Sequence, residues 1–404
     1  MADAETFFWT VVFWSSALLL GYVYVGYPVL IWVWAALRAR PARRAREEPE
    51  VSVLIVVHNE AAHITGRLEN LLALDYPSDR LEIVLASDGS TDATVELARA
   101  WEPAGVTVIA FETRRGKPAV LNDLVPKARG EIVVLADARQ RFDRGVIRAL
   151  VGRFSDPGVG AVSGELVLTT GEGTALGQGV GFYWLYEKFI RRHESAADST
   201  VGATGALYAI RQELFESIPE DTILDDVLIP LRITRRGYRV LFEPAACAWD
   251  RVSARAQEEL ARKIRTLAGN FQLFARERWL LRPRHNRLWL QTVSHKGLRL
   301  LTPLFHATAI AANLPMAGSR PYRDALLVQA IFYAAALGGY ALRNAKRPSP
   351  LLSVPYAVCL LNWATVVGFL RFIAGRQRVT WDKSERGFAR VDRSWTSGAS
   401  RLTE

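Results

Sequence analysis

The sequence predicts an α/β protein: a doubly wound, mostly parallel sheet flanked by transmembrane helices. Three observations carry that expectation. From residue 51 to about 136, short β-rich runs alternate with amphipathic stretches, the pattern of a sheet wrapped by helices on both faces. Residues 6–37, 300–319, 325–342 and 348–370 contain no Asp, Glu, Lys or Arg. A water-soluble chain rarely strings together several uncharged windows of about 20 residues. Half of the 404 residues are hydrophobic and 23% are charged, enough apolar surface to build a core and exclude disorder.

The first window follows Ala2-Asp-Ala-Glu5, so it lacks a basic start, and it runs far beyond the ~7–15 residues of a signal core. It reads as an anchor. Arg38, Arg40, Arg43, Arg44 and Arg46 follow it, a basic flank that favours the cytoplasmic side and contact with anionic membrane lipids. The net charge of +10 comes from 44 Arg and 7 Lys against 41 acids, and that flank holds its densest run. No nucleic-acid partner is expected. Cys247 and Cys359 cannot form a disulfide framework, and no Cys/His group has metal-site spacing.

Residues 51–57 are the continuous apolar run of a strand buried on both faces. In 60–74, Ile64, Leu68, Leu71 and Leu72 recur at helical spacing. Residues 81–86 form the next strand, and Ser90 and Thr91 offer a cap to a helix over 92–101. A strand at 106–111, a helix at 117–127 and a strand at 131–136 continue the alternation. Further on come a helix at 144–154, a strand at 159–168, a helix at 177–194 and a Gly-rich strand at 202–210. A helix at 225–236, a strand at 239–243 and a helix at 256–276 then lead to the membrane. The expected organisation is an anchor over 1–40, one soluble domain over 50–280, interfacial and transmembrane helices over 281–375, and a basic tail over 376–404. Arg371, Arg376 and Arg378 favour a cytoplasmic tail. That requires one window, 300–319 with its His306, Asn313 and Pro315, not to cross.

Doubly wound sheets bind ligands at the carboxyl ends of their strands, and there the polar residues collect. His58-Asn59-Glu60 follows the first strand, and Asp88-Gly89-Ser90 the second, with Gly for a tight turn. Arg114-Arg115-Gly116-Lys117 follows the third, a flexible basic loop suited to phosphate oxygens, and Asp137-Ala138-Arg139 the fourth. Any one of these is ordinary turn chemistry; four consecutive strand ends offering acids, a Gly turn and bases point to a phosphorylated ligand. Asp225-Asp226 opens a helix, where the dipole and free N–H groups hold a carboxylate ionised. One of the two reads as a cap and the other as a base. Arg262 and Arg265 share one helix face, as a lipid-headgroup contact or a diphosphate clamp.

The ordered set resembles the membrane-bound glycosyltransferases of family 2, which include cellulose, hyaluronan, chitin and poly-N-acetylglucosamine synthases. The residues carrying the resemblance run from Val51 to about Arg386. They include Val51-Ser-Val-Leu-Ile-Val-Val-His-Asn-Glu60, Ser87-Asp88-Gly89-Ser90, Gly116-Lys117 with Leu121-Asn122, Thr204-Gly205-Ala206-Leu207-Tyr208, Leu224-Asp225-Asp226 and Arg262-x-x-Arg265-Thr266. The resemblance implies a GT-A-type domain in the inner membrane, with the catalytic part cytoplasmic and several spans. It further implies an inverting transfer from a nucleotide sugar, expected to be UDP-linked, to a lipid-linked or polysaccharide acceptor in envelope or exopolysaccharide synthesis. Asn59 and Glu60 would line the nucleotide-sugar site, and Asp88 would contact the base. Lys117, Arg262 and Arg265 would meet the diphosphate, and Asp137 would hold Mg²⁺ or Mn²⁺ beside it. Asp226 would be the general base, with Asp225, Thr204 and Gly205 at the acceptor side. Two departures stand out: the Asp-x-Asp metal motif is here Asp137-Ala-Arg139, and the aromatic after the second Arg is Thr266.

Overall fold

The computed structural model describes residues 2–169, 175–251, 256–343, 345 and 349–380. Two helices, α1 (Ala2–Gly21) and α2 (Tyr27–Leu37), are joined by a π turn at Tyr22–Gly26 into one long apolar rod. The chain then extends to β1 (Val51–Val57), α3 (Ala61–Leu72), β2 (Leu81–Asp88), α4 (Thr94–Arg99), β3 (Val106–Phe111), α5 (Lys117–Leu124) and β4 (Ile132–Ala136). These β-α repeats form the parallel half of one sheet, ordered β3-β2-β1-β4. Six of the seven β1 residues are buried, as a strand covered on both faces requires. Ile64, Leu68 and Leu71 of α3 pack on one face, and Val120, Leu121 and Leu124 of α5 on the other.

Beyond β4 the sheet becomes mixed. The elements are β5 (Arg141–Phe142), α6 (Val146–Val151), β6 (Val159–Thr169), α7 (Ala175–Ala197), β7 (Leu207–Arg211), α8 (Asp225–Arg235) and β8 (Arg239–Arg251). The full order is β3-β2-β1-β4-β7-β6-β8-β5, with β7 antiparallel to both β4 and β6. The expected mostly parallel sheet therefore holds for the first half, while in the second β6 and β8 pair in parallel and β7 and β5 pair antiparallel to their neighbours. The predicted strand 239–243 is longer than read. Pro244 looks like a stop, but a register shift between Ser163 and Glu165 lets β8 resume pairing with β6 through Arg251. The predicted strand 202–210 starts later, at Leu207, because residues 203–204 bond to other elements: Ala203 N–H donates to Asp226 O and Thr204 N–H to Ser163 Oγ.

The amphipathic helix α9 (Ala256–Arg276) follows, then α10 (Trp289–Gln291), a π turn at Thr292–Gly297, α11 (Leu298–Leu300), α12 (Thr302–Asn313), α13 (Arg320–Ala341) and α14 (Pro350–Ile373). Among the described residues three helices are long and apolar enough to cross a membrane: 4–37, α13 and α14. The window 300–319 is not one of them. Its helix α12 stops at Asn313 before a 3₁₀ turn containing Pro315, and it lies antiparallel along α1 through the pairs Tyr22–Ser294, Ser16–Thr308 and Thr10–Met316. Of the basic tail, residues 381–404 lie outside the described residues.

Candidate active site

Three strand-end loops are stitched to one another. Asn59 has the left-handed φ of 54°, which its short polar side chain tolerates. Its N–H donates to Ser90 Oγ at 3.0 Å, and its Oδ1 accepts from Thr91 N–H at 2.8 Å. Glu60 N–H donates to Thr94 Oγ1, while the Glu60 carboxylate lies 2.9 Å from His63 Nδ1. Ser90 and Thr91 therefore tie the β2 loop to the β1 loop rather than capping α4, whose Thr94 N–H bonds the Asp92 carboxylate. Asp88 is buried, and its two oxygens accept from Arg115 N–H at 2.7 Å and Gly116 N–H at 2.8 Å. The close approach depends on Gly89, at φ 63°, where a Cβ would stand 2.5 Å from the Arg114 nitrogen.

The basic loop predicted to be flexible is thereby pinned. Arg115 is also committed elsewhere, 2.7 Å from Asp123 and over the Phe111 ring. The Lys117 side chain, by contrast, enters the site from the start of α5. Its ammonium is 2.9 Å from Asp137 Oδ1 and 3.7 Å from Asp225 Oδ2. Burial works against the Lys117 charge, and Asp137 and Asp225 more than offset it, so its pKa lies above the usual lysine value. Arg139, by contrast, is exposed.

Asp225 and Asp226 begin α8, but Leu224 occupies the cap position with no side-chain cap bond. Neither carboxylate is the cap read from the sequence. Asp225 is buried facing Lys117 and beside the wholly buried Tyr208, whose hydroxyl is held protonated by burial and then by both acids. Asp226 differs from expectation too. Burial and the Asp225 charge push its pKa up to about 6, against the pull of Lys117 and Lys296. The desolvation of a packed helix start outweighs the helix dipole, whose worth is about 0.3–1 kcal/mol. The acceptor-type loop lies against this carboxylate: a Cβ on Gly205 would stand 3.1 Å from Asp226 Oδ2.

On α9, Arg262 is 3.8 Å from Glu259, and Arg265 donates to Val379 O at 3.2 Å. Val379 also reaches Gly116, where an added Cβ would meet its Cγ1 at 3.3 Å. Arg265 and the Lys117 loop thus border the same short segment. Thr266 is exposed and its hydroxyl returns to Arg262 O. Of the other aromatics, Trp249 Nε1 donates to Asp143, and the Tyr183 and Trp184 rings lie under the Lys263 ammonium at 4.3 and 5.3 Å.

Sequence reasoning singled out Asp88, Lys117, Asp137, Asp225, Asp226, Thr204 and Gly205, and the fold brings them to one edge of the sheet. It missed Tyr208 as a neighbour of the acids, and Lys296, whose charge reaches Asp226 from the π turn after α10. Tyr208 belongs to the quoted loop motif but reads there as a strand aromatic, and Lys296 carries no local signal, lying some 70 residues beyond Asp226. For a divalent cation the donor set is sparse. Among the described residues no three His, Cys, Asp or Glu side chains form a group that could hold a metal ion. Asp137, half exposed at the end of β4, fits as a single protein ligand whose partners must come from a bound diphosphate.

Residues 52–218 match the family described as Glycosyl transferase family 2. The probable glycosyltransferase YdaM of Bacillus subtilis is 27% identical over 219 residues, 51% of each chain. Poly-beta-1,6-N-acetyl-D-glucosamine synthase of Staphylococcus aureus is 25% identical over 249 residues, 60% of each. The chain thus spans about half of the length of the curated relatives it matches. The mannosyltransferase PcManGT of Pyrobaculum calidifontis, solved in complex with GDP-Man and Mn²⁺, superposes with a TM-score of 0.69 at 26% identity. That match covers 93% of this chain and 100% of the other.

Proposed function

Since residues 52–218 form a glycosyl transferase family 2 domain with a GT-A-type fold, we propose that the chain is an inverting membrane glycosyltransferase. It moves a sugar from a nucleotide sugar, UDP-linked in our reading, to a lipid-linked or glycan acceptor at the cytoplasmic face of the inner membrane. The observation that carries this reading is the placement of Asp226 against the Thr204-Gly205 loop, one residue from the Asp225–Lys117–Asp137 chain of charges. A displacement at an anomeric carbon needs a carboxylate to accept the acceptor hydroxyl's proton, a contribution of about 10²–10⁴-fold. With a pKa near 6, Asp226 is about nine-tenths ionised at pH 7, yet basic enough to hold the proton it receives. The leaving diphosphate needs positive charge, which Lys117 and Arg265 supply. Asp137 would hold Mg²⁺ or Mn²⁺ together with that diphosphate, and the cation would neutralise further charge there. Asp88 acts on the nucleoside side through the 114–116 loop that it holds.

The neighbour bound to GDP-Man and Mn²⁺ supports both a metal and a second reading, a guanosine-linked donor. Thr266 lacks an aromatic face, and Tyr183 and Trp184 are engaged by Lys263, which favours transfer of one or few sugars over a long processive product. The test is a screen of purified protein against UDP- and GDP-sugars with membrane lipid extract, reading the nucleotide released and the product size. Release of UDP with short lipid-soluble products is expected. Release of pyrophosphate, or no turnover with any donor, overturns the activity; GDP release selects the second donor; long polymer without added lipid overturns the short-transfer reading.

A further inference from the structure

The turn that closes on Asp226 is held from two sides, one of them a single hydroxyl from another strand. Ala203 N–H donates to Asp226 O at 2.8 Å, which ties the turn to the start of α8 through main chain alone. Thr204 N–H donates instead to Ser163 Oγ at 3.1 Å. Ser163 lies on β6, wholly buried, and is paired with Tyr208 of β7 on one side and Phe242 of β8 on the other. Its own hydroxyl hydrogen goes to Gly164 O at 3.1 Å, so the oxygen is left to accept from Thr204. Gly205 follows, where an added Cβ would stand 3.1 Å from Asp226 Oδ2.

The sheet is irregular at this point. Ser163 faces Phe242, whereas Glu165 faces Cys247, so Gly164 falls outside the paired register. No side chain fits at Gly164: a Cβ would meet Leu207 Cδ2 at 2.5 Å and Ala246 O at 2.7 Å. Such irregularities re-aim a side chain beside an active site. Here Ser163 is the side chain re-aimed, and Gly164 supplies the carbonyl that orients it. Removing the hydroxyl would leave the buried Thr204 N–H without a partner in a place water does not reach. We propose that Ser163 is a positioning residue for the transfer, holding the Thr204-Gly205 turn closed on Asp226 from within the sheet. The proposal deepens the reading of Asp226 as general base and rests on it. The closed turn helps keep water from the carboxylate. Burial is the first cause of the raised Asp226 pKa, ahead of Asp225, with Asp137 adding to the rise and Lys117 and Lys296 opposing it. A loosened turn admits water, and the pKa falls toward the ordinary aspartate value of about 3.9.

The experiment compares the pH profile of kcat/KM in the unmodified full chain, Ser163→Ala and Ser163→Cys, read as nucleoside diphosphate released with membrane lipid extract. UDP affinity is measured beside it by calorimetry. Ser163→Ala should lower kcat/KM at pH 7 at least about tenfold and move the acid limb down by about one pH unit. UDP affinity should stay within about twofold, which also certifies the fold. Ser163→Cys fills the same space with a weaker acceptor and should move the limb the same way by less; it settles the test if the alanine variant does not bind UDP. Ser52→Ala controls for lost stability alone. Ser52 is equally buried and accepts from Gly130 N–H at 2.8 Å, but it sits at the opposite, amino end of β1. Its acid limb should stay in place. A limb unmoved in the Ser163 variants, or moved as far by Ser52→Ala, overturns the proposal, as does loss of UDP affinity in both Ser163 variants. An unmodified enzyme without an acid limb would strike Asp226 as the base, a separate result.

Discussion

The pKa of Asp226 makes the acid limb of the activity profile a quantitative target. In the free enzyme burial and Asp225 raise it to about 6, and kcat/KM reports the free enzyme. The base must be ionised to accept a proton, so activity is present above that pKa and lost as pH falls through it. With a single titration near 6, the ionised fraction falls from about 0.9 at pH 7 to about 0.1 at pH 5, so kcat/KM drops about tenfold. Asp225→Asn tests the cause. It removes the second-largest contribution, a neighbouring negative charge, and keeps the shape of the side chain. The acid limb should therefore move to lower pH, by roughly one unit or less given the typical worth of a partly screened neighbour. Nucleoside diphosphate release from donor and membrane lipid extract, measured from pH 4.5 to 8 at fixed ionic strength, checks it. An acid limb that stayed in place in Asp225→Asn, or moved upward, would refute the argument that these two acids share a desolvated site. Asp226→Asn, lacking the titrating group, should lose about 10²–10⁴-fold in rate at pH 7 and show no acid limb near 6, while UDP still binds.

Lys117→Ala should weaken UDP binding at least about tenfold in calorimetry, with uridine unaffected because it has no diphosphate to lose. Gly89→Ala should cost about 1–3 kcal/mol in unfolding stability and weaken UDP as well, since its Cβ would strike the Arg114 backbone at a φ of 63°; an unchanged melting temperature would contradict that packing. Exhaustive chelation should abolish transfer, with Mg²⁺ or Mn²⁺ restoring it in the unmodified enzyme but not in Asp137→Ala. Full activity in the chelated enzyme would assign the charge to Arg139 and Lys117 instead.

The parallel half of the sheet and nearly every helix were legible from local pattern, because continuous apolar runs and 3.6-residue spacing record which faces are buried. So was the set of strand-end residues, since a doubly wound sheet places the carboxyl ends of β1, β2, β3 and β4 together whatever the loops contain. Local pattern misled where a residue's partner is distant. Ser90 and Thr91 look like caps but are taken by Asn59, 31 and 32 residues away in sequence, and Arg115 looks available to phosphate but is held by Asp123.

By itself the amino-acid order determined the apolar spans, the β-α alternation, the Gly89 turn and the acids and bases at the strand ends, all properties of local composition and spacing along the chain. Only the tertiary structure decided how those charges pair. It set Lys117 between Asp137 and Asp225, desolvated Asp226 against Gly205, and gathered His295, Glu187 and Glu194 from segments about 100 residues apart. The reason is physical: a charge's state depends on burial and on neighbours within a few ångströms, and neither is written in the sequence near it.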